Sequence, residues 1–343
     1  MSTESRTVEP ALAHWLSDHL DRPGPWELRR LTGGNSNETC LLRNTDTEFV
    51  LRRPPRHALS ASAHSVAREH RLLAALQDTA VPVPRAFALC EDPGVPSAPF
   101  LLMEHIPGAV AITDELPAAY GADPNSLTAV ADEIVDALAA IHLLDWRAAG
   151  LEGFGRPEGF LERQVQRWYR QWQKIERRPL PAMPRLAAWL EEHRPEAGRP
   201  ALMHGDFHLD NCLFSAAEPR ALAVIDWETA TIGDPLMDLG LLVAFWGERE
   251  LAHPGMPGVQ AVSRAPGAPT GEHLLDRYAQ VTGTSVRHID YYRCLALFKL
   301  AAITEAAHTQ YLDGELRTEY AAALEHDVPA LLAEACAIAG LRR

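Results

Sequence analysis

The chain has 343 residues, 47% of them hydrophobic and 23% charged, with 46 acidic side chains against 32 basic ones and a formal net charge of -14. That length exceeds what one compact core usually holds, so two lobes meeting at a cleft are expected, and the apolar content excludes disorder as the dominant state. The acidic balance excludes a nucleic-acid coat and docking on an anionic membrane.

The start carries no basic region followed by an apolar stretch. The longest apolar runs, near 239–246 and 294–303, are too short or interrupted to span a bilayer, so a soluble cytoplasmic protein is expected. Cys40, Cys90, Cys212, Cys294 and Cys336 are scattered without a C-x-x-C pair and read as buried reduced thiols.

Val8, Leu12, Trp15, Leu16 and Leu20 recur at helical spacing and predict an amphipathic helix over 8–20. Beyond Pro23-Gly24-Pro25, alternating segments at 26–31, 38–42 and 48–51 predict antiparallel strands, the first two joined by the small-residue turn Gly33-Gly34-Asn35-Ser36-Asn37. A helix over 63–76 follows, then strands ending at 100–103. From Ser126 the texture is helical, with stretches at 126–141, 160–174, 186–193, 273–282, 289–311 and 315–339, interrupted by short buried strands at 201–203, 212–214 and 222–225. The Pro- and Gly-rich stretch 247–271 lacks hydrophobic periodicity and predicts a surface loop. The layout is a β lobe over residues 1–105 and a larger helical lobe over 106–343, joined near 104–108.

His204-Gly205-Asp206-Phe207-His208-Leu209-Asp210-Asn211, followed by Ile225-Asp226-Trp227, carries the chemistry. Two apolar runs flank the polar turn Glu218-Pro219-Arg220 as a hairpin. Pairing residue 213 with 224 sets Asn211 opposite Asp226, two hard oxygen ligands at the hairpin's open end, as a Mg2+ ion bound partly through substrate phosphates requires. Asp206 lies on the loop just before them. His204 and His208, four apart, invite a zinc reading, but that pattern needs Glu after the first His on a continuous helix, which Gly205 and the flanking strands oppose. His204 is instead expected to bond loop backbone and His208 and Asp210 to be solvated. Asp234 and Asp238 are expected to cap a helix or bond backbone, and His142 to be a satisfied interior histidine.

A carboxylate five residues before an Asn, then an Asp after the next strand, is the spacing of kinase catalytic and metal-binding loops. On these residues the sequence resembles the aminoglycoside phosphotransferase and choline kinase group. The resemblance implies an α+β, protein-kinase-like bilobal fold, with a small antiparallel β lobe and a larger mainly helical lobe. It also implies transfer of the γ-phosphoryl group of ATP, with Mg2+, to a hydroxyl of a small molecule. Asp206 would take or orient the hydroxyl proton, and Asn211 and Asp226 would hold the metal. Gly33, Gly34, Asn35 and Ser36 fall on the phosphate-covering turn. Alternation along 49–52 places Val50 and Arg52 on one face, Val50 toward adenine and Arg52 toward phosphate, where kinases usually have Lys. Glu69, within the apolar stripe of Val66, Leu73 and Leu76, needs a cationic partner, and Arg52 is the candidate; a solvated Glu at the stripe's edge is the alternative. The backbone from Glu104 to Ile106 matches the adenine-binding hinge.

Leu51-Arg52-Arg53-Pro54-Pro55, Gly153-Phe154-Gly155-Arg156-Pro157, Gln164 with Trp168, and Phe298-Lys299-Leu300-Ala301 are similar to the subgroup found as the phosphotransferase domain of acyl-CoA dehydrogenase family members 10 and 11. That similarity covers roughly 26–340 and implies no attached dehydrogenase domain and a hydroxyacyl-type acceptor. An aminoglycoside or macrolide kinase and a nucleotide-binding pseudokinase stay as alternatives. The expected partners are a nucleotide and a hydroxyl acceptor, with no nucleic acid and no membrane, for a monomer or homodimer.

Overall fold

The structure, a computed structural model, describes residues 6–20, 24–31, 37–54, 65–121, 123, 125–247 and 259–341. The first lobe runs β1 (Arg6–Thr7), α1 (Pro10–Leu20), β2 (Glu27–Arg30), β3 (Glu38–Arg43), β4 (Glu48–Arg53), α2 (Val66–Leu76), β5 (Ala86–Cys90) and β6 (Phe100–Glu104). Its strands form one antiparallel sheet in the order β1-β2-β3-β4-β6-β5. Side-chain alternation decides which side each residue serves. Leu42, Phe49, Leu51, Phe100 and Leu102 pack with Leu12, Trp15 and Leu16 of α1, whereas Leu101 and Met103, with Val50 beside them, face α2 and the rest of the molecule. Each of these large side chains contributes about 1.5–3 kcal/mol when fully buried.

Ser65 caps α2, its hydroxyl accepting the Arg68 N–H at 3.2 Å. The stripe of Val66, Leu72, Leu73 and Leu76 is buried and carries Glu69 inward with it, at 2% exposure, so the solvated-Glu alternative falls. The neighbouring face ties the helix to the second lobe. Arg68 donates to the carbonyls of Phe154 (2.6 Å) and Ala230 (2.8 Å), its guanidinium 3.7 Å above the Phe154 ring, and Arg71 donates to those of Gly150 (3.2 Å) and Glu152 (2.8 Å).

The second lobe holds β7 (Ala109–Ala111), α3 (Ser126–Leu143), α4 (Phe160–Ile175), α5 (Ala182–Glu192), β8 (Ala201–Met203), β9 (Cys212–Ser215), β10 (Ala221–Val224), β11 (Thr231–Gly233), α6 (Leu236–Ala244), α7 (Gly271–Thr282), α8 (Ile289–Leu312) and α9 (Glu319–Ile338). α8 packs against α4, α5, α6 and α9. Arg178, between α4 and α5, joins this packing: it bonds both carboxylate oxygens of Glu305 on α8 (3.0 and 2.7 Å) and the carbonyls of Leu324 (3.0 Å) and Glu325 (2.5 Å) on α9. The arrangement is the expected α+β, two-lobed one.

Three details differ from the sequence reading. β9 and β10 pair Cys212 with Val224 and Leu213 with Ala223, and a shift at Leu222 then pairs Phe214 with Ala221. The ladder is therefore one residue off a plain pairing of 213 with 224. Ile225 N donates to Asn211 O at 2.9 Å, so Asn211 stands opposite Ile225 rather than Asp226. β7 and β11, three residues each, are too short to show alternation. Of the stretch 247–271, residues 248–258 lie outside the described residues. Residues 259–264 pack inward, with Gln260, Val262 and Ser263 buried, whereas Pro266, Gly267 and Thr270 are exposed as a surface loop requires. All five cysteines are buried free thiols, and among the described residues no helix is long and apolar enough to cross a membrane.

Candidate active site

The loop after β8 is held from behind by α6. Asp238, 1% exposed, accepts the N–H groups of His204 (2.6 Å) and Gly205 (2.8 Å) on its two oxygens, and faces His142 Nε2 at 3.4 Å. Burial alone would raise the Asp238 pKa, but the His142 contact and the loop N–H bonds outweigh it and hold the carboxyl below its usual range. Gly205 has φ +85°, and a Cβ there would stand 2.6 Å from the Thr229 carbonyl, so the loop needs glycine at this turn.

His204 is fully buried. Its Nε2 donates to the Ile225 carbonyl at 2.9 Å, which leaves Nδ1 to accept the Asp206 N–H at 3.3 Å. Burial pushes its pKa down, keeping the ring neutral. Asp234 accepts from Leu236 N (3.1 Å) and the Tyr292 hydroxyl (2.8 Å), and His142 Nδ1 meets the Tyr278 hydroxyl at 2.8 Å, the structural roles expected of both.

The side chain of Asp206 is 48% exposed. His208 and Asp210 are not the solvated residues expected: His208 Nδ1 lies 3.1 Å from Asp210 and its Nε2 3.8 Å from Asp206. Burial lowers the His208 pKa, but the Asp210 bond and the Asp206 charge raise it further, so the net shift is upward. Asn211 Nδ2 donates to the Asp206 carbonyl at 2.9 Å and meets His208 Nε2 at 3.2 Å. Gln260 closes this network from the far side. Its N–H donates to Asp210 (3.0 Å), its Oε1 accepts Leu209 N (2.8 Å), and its Nε2 donates to the Leu242 carbonyl (2.9 Å).

Arg52 leaves β4 on the same face as Val50 and reaches an acidic cluster in which Glu69 is buried and Asp226 and Glu228 are partly exposed. Its Nε is 3.2 Å from Glu69, its NH2 contacts Asp226, and Glu228 lies 3.7 Å away. The Glu69 contact is off the hydrogen-bond line, so the attraction is coulombic. Burial pushes the Glu69 pKa up to about 7 against the opposing pull of Arg52, and the charges of Asp226 and Glu228 add to the rise. Asp226 sits at φ 68°, a left-handed position that costs a non-glycine residue about 1–3 kcal/mol unless its surroundings hold it. Asn37 donates to Glu228 at 3.2 Å, bringing the end of the small-residue turn to the same cluster. Gly33, Gly34, Asn35 and Ser36 lie outside the described residues. At the hinge, Glu104 N donates to Arg85 O at 2.8 Å, and the Ile106 carbonyl accepts Ala109 N at 3.2 Å.

Asp206 also lines a cavity of about 190 Å3, walled by Met203, Met237, Leu241, Ala296, Leu300 and Ile303. Lys299 of α8 projects here, its Nζ donating to the Gly205 carbonyl at 2.5 Å, with its pKa lowered chiefly by burial. Lys299, Glu228 and Gln260 were missed as site residues. Lys occurs twice in the chain, at positions 174 and 299, although Lys and Arg together number 32, and that rarity was a usable sign. Glu228, two residues after Asp226, could have been found as a second acid there. Nothing in the composition around Gln260 marks it.

A small antiparallel sheet set on a larger helical lobe, with a buried Arg–Glu pair facing an Asp-bearing loop, defines a class: phosphotransferases of protein-kinase-like fold. The chain belongs to the phosphotransferase enzyme family, whose model matches residues 27–274. It is 36% identical over 319 residues to acyl-CoA dehydrogenase family member 10 of Mus musculus, covering 92% of this chain and 29% of that protein. It is similar to the crystal structure of a provisionally assigned aminoglycoside phosphotransferase from Ralstonia eutropha, with 32% identity, TM-score 0.83, and 98% and 99% of the two chains covered. An aminoglycoside phosphotransferase solved with AMP-PNP and hygromycin B shares the fold at 17% identity and TM-score 0.59, over 95% of this chain and 99% of that one.

Proposed function

We propose that this phosphotransferase moves the γ-phosphoryl group of ATP, with Mg2+, onto a hydroxyl of a small acceptor of hydroxyacyl type. The observation that carries the reading is Asp206, a half-exposed carboxylate on a fixed loop that opens onto an apolar cavity. There it would orient the acceptor hydroxyl and take its proton. Phosphoryl transfer has a loose transition state, so positioning and charge neutralisation carry most of the catalysis. Arg52, positioned by Glu69, would neutralise the α- and β-phosphates. Val50 and the edge from Glu104 to Ile106 would hold adenine, and Gly33, Gly34, Asn35 and Ser36 would cover the phosphates. That a protein of the same fold was solved with AMP-PNP supports a nucleotide as the donor.

The residues present fit Mg2+. Glu69, Asp226 and Glu228 converge on one guanidinium, an excess of negative charge that suits a divalent cation, and Asn211 and Asp226 offer hard oxygen donors. When bound, the ion would neutralise phosphate charge.

The cavity supports a hydroxyacyl acceptor over a polycationic one. Of its acids, Asp238 is spent on loop N–H groups and Glu228 faces Arg52 and Asn37, which leaves Asp206. Asp206→Ala is expected to keep AMP-PNP binding and lose transfer by about 10²-fold or more. The assay is phosphate transfer to a panel of hydroxyacyl-CoAs, aminoglycosides, macrolides, choline and sugars, and undiminished turnover by the variant on any of them overturns the assignment.

A further inference from the structure

Helix α4 carries a second feature beside the acceptor cavity. Arg156, Arg163, Arg167 and Arg170 line an open cleft of about 680 Å3 with Thr231 of β11, and Glu162 is the acid on its wall. Positions 163, 167 and 170 recur at i, i+4 and i+7, so one helix face gathers three guanidinium groups. Arg163 is spent locally, donating to the carbonyls of Arg156 (2.7 Å) and Glu158. Arg156, Arg167 and Arg170 are exposed. Like charges at helical-neighbour spacing repel, and in a chain of net charge -14 their concentration in one concave place calls for an anion.

One indole stands between the cleft and the reaction centre. The Arg167 guanidinium lies 4.8 Å from the centre of the Trp168 ring, and Lys299 Nζ lies 5.7 Å from the same ring. Arg167 is close enough to Lys299 for its charge to disfavour the protonated amine. Basic side chains therefore stand at both sides of one indole, Arg167 toward the exposed cleft and Lys299 toward the Gly205 carbonyl and Asp206.

We propose that the arginine cleft is an anion subsite for the acceptor, holding a phosphate-bearing tail while the hydroxyl end of the same molecule enters the cavity at Asp206. This rests on the hydroxyl-acceptor reading and adds the chemistry of the tail. Guanidinium groups suit it because their planar fork bonds phosphate oxygens in pairs. It also gives the small cavity a role it could not fill alone: the cavity selects the reacting end, and the cleft selects the carrier.

The test compares a hydroxyacyl-coenzyme A with the matching hydroxyacyl-pantetheine, which keeps the hydroxyl and thioester but lacks the nucleotide-phosphate tail. The expected KM for the coenzyme A ester is lower by about tenfold or more. Arg167→Gln combined with Arg170→Gln should erase that advantage, leaving the KM values for ATP and the pantetheine ester unchanged. An unaltered KM for the coenzyme A ester in the double variant overturns the subsite. If neither ester is phosphorylated, the hydroxyacyl reading falls and the cleft is judged separately, by calorimetric titration of coenzyme A into protein saturated with ADP and Mg2+. Binding that weakens about tenfold or more in the double variant supports the subsite; no binding, or equal binding by both proteins, overturns it.

Discussion

Asp238→Asn should disturb Asp206 without touching it. The carboxylate bonds two consecutive loop N–H groups at 2.6 and 2.8 Å from a position that is 1% exposed. Charge-assisted bonds of this kind contribute about 1.5–3 kcal/mol each. The amide keeps the shape but has one oxygen, so one N–H would face an NH2 group and the other would lose its charged acceptor, a combined cost of about 2–4 kcal/mol. Unfolding entropy scales to roughly 0.7 kcal/mol/K for 343 residues, so the melting temperature should fall by about 3–6 °C. Amide exchange at His204 and Gly205 should accelerate, and kcat should drop by about 10²-fold with the ATP KM unchanged, as a displaced catalytic group requires. Calorimetry, exchange and steady-state kinetics read these three effects. A melting temperature within about 1 °C of wild type, with exchange at both amides unaltered, would refute the reasoning.

Arg178→Met should destabilise by about 3–5 kcal/mol, because Glu305, 0% exposed, is left as an uncompensated buried charge. Adding Glu305→Met should recover much of that loss in urea denaturation; a double variant no more stable than the single one contradicts the pairing. Gly205→Ala should lower stability by about 1–3 kcal/mol or more through its positive φ and the overlap with the Thr229 carbonyl, and equal melting curves would count against this account. His204 resists protonation when folded because it is buried, whereas the unfolded ring takes a proton near the usual histidine value of 6.5. Its contribution is thus complete above about pH 6.5 and is lost as pH falls toward the lower folded pKa. The melting temperature of His204→Gln should fall less between about pH 7 and 5 than that of wild type, and parallel falls would exclude the mechanism.

Much of the site was legible because its residues sit on elements with strong periodicity. Arg52 and Val50 share a face by the two-residue period of β4, and Glu69 could be paired with Arg52 because a carboxylate within an apolar helical stripe has few other ways to be satisfied. The proximity of the 204–211 loop to Asp226 was readable because a hairpin fixes the distance between its flanks. The register of that hairpin was not, since the irregularity at Leu222 in an Ala-Leu-Ala-Val run leaves no mark in residue type. Lys299 was read only as part of the Phe298-Lys299-Leu300-Ala301 motif, because nothing local to its helix shows that its side chain reaches the Gly205 carbonyl. Gln260 was hidden for a different reason: Pro and Gly around it read as surface loop, while its backbone and side chain bind Asp210, Leu209 and Leu242. Local composition reports the chain's own preferences, and contacts between elements distant in sequence can override them.

The tie between α2 and the second lobe bears on control. In protein kinases the corresponding helix is displaced to break the ion pair, and that displacement is the off state. Here four backbone carbonyls, Phe154, Ala230, Gly150 and Glu152, grip Arg68 and Arg71 on either side of Glu69. Swinging the helix out would break both Arg68 bonds, which are half-buried, and release Arg71 to solvent. An off state of that kind would have to break these four bonds along with the Arg52–Glu69 contact, so in this fold α2 and the second lobe are expected to move together.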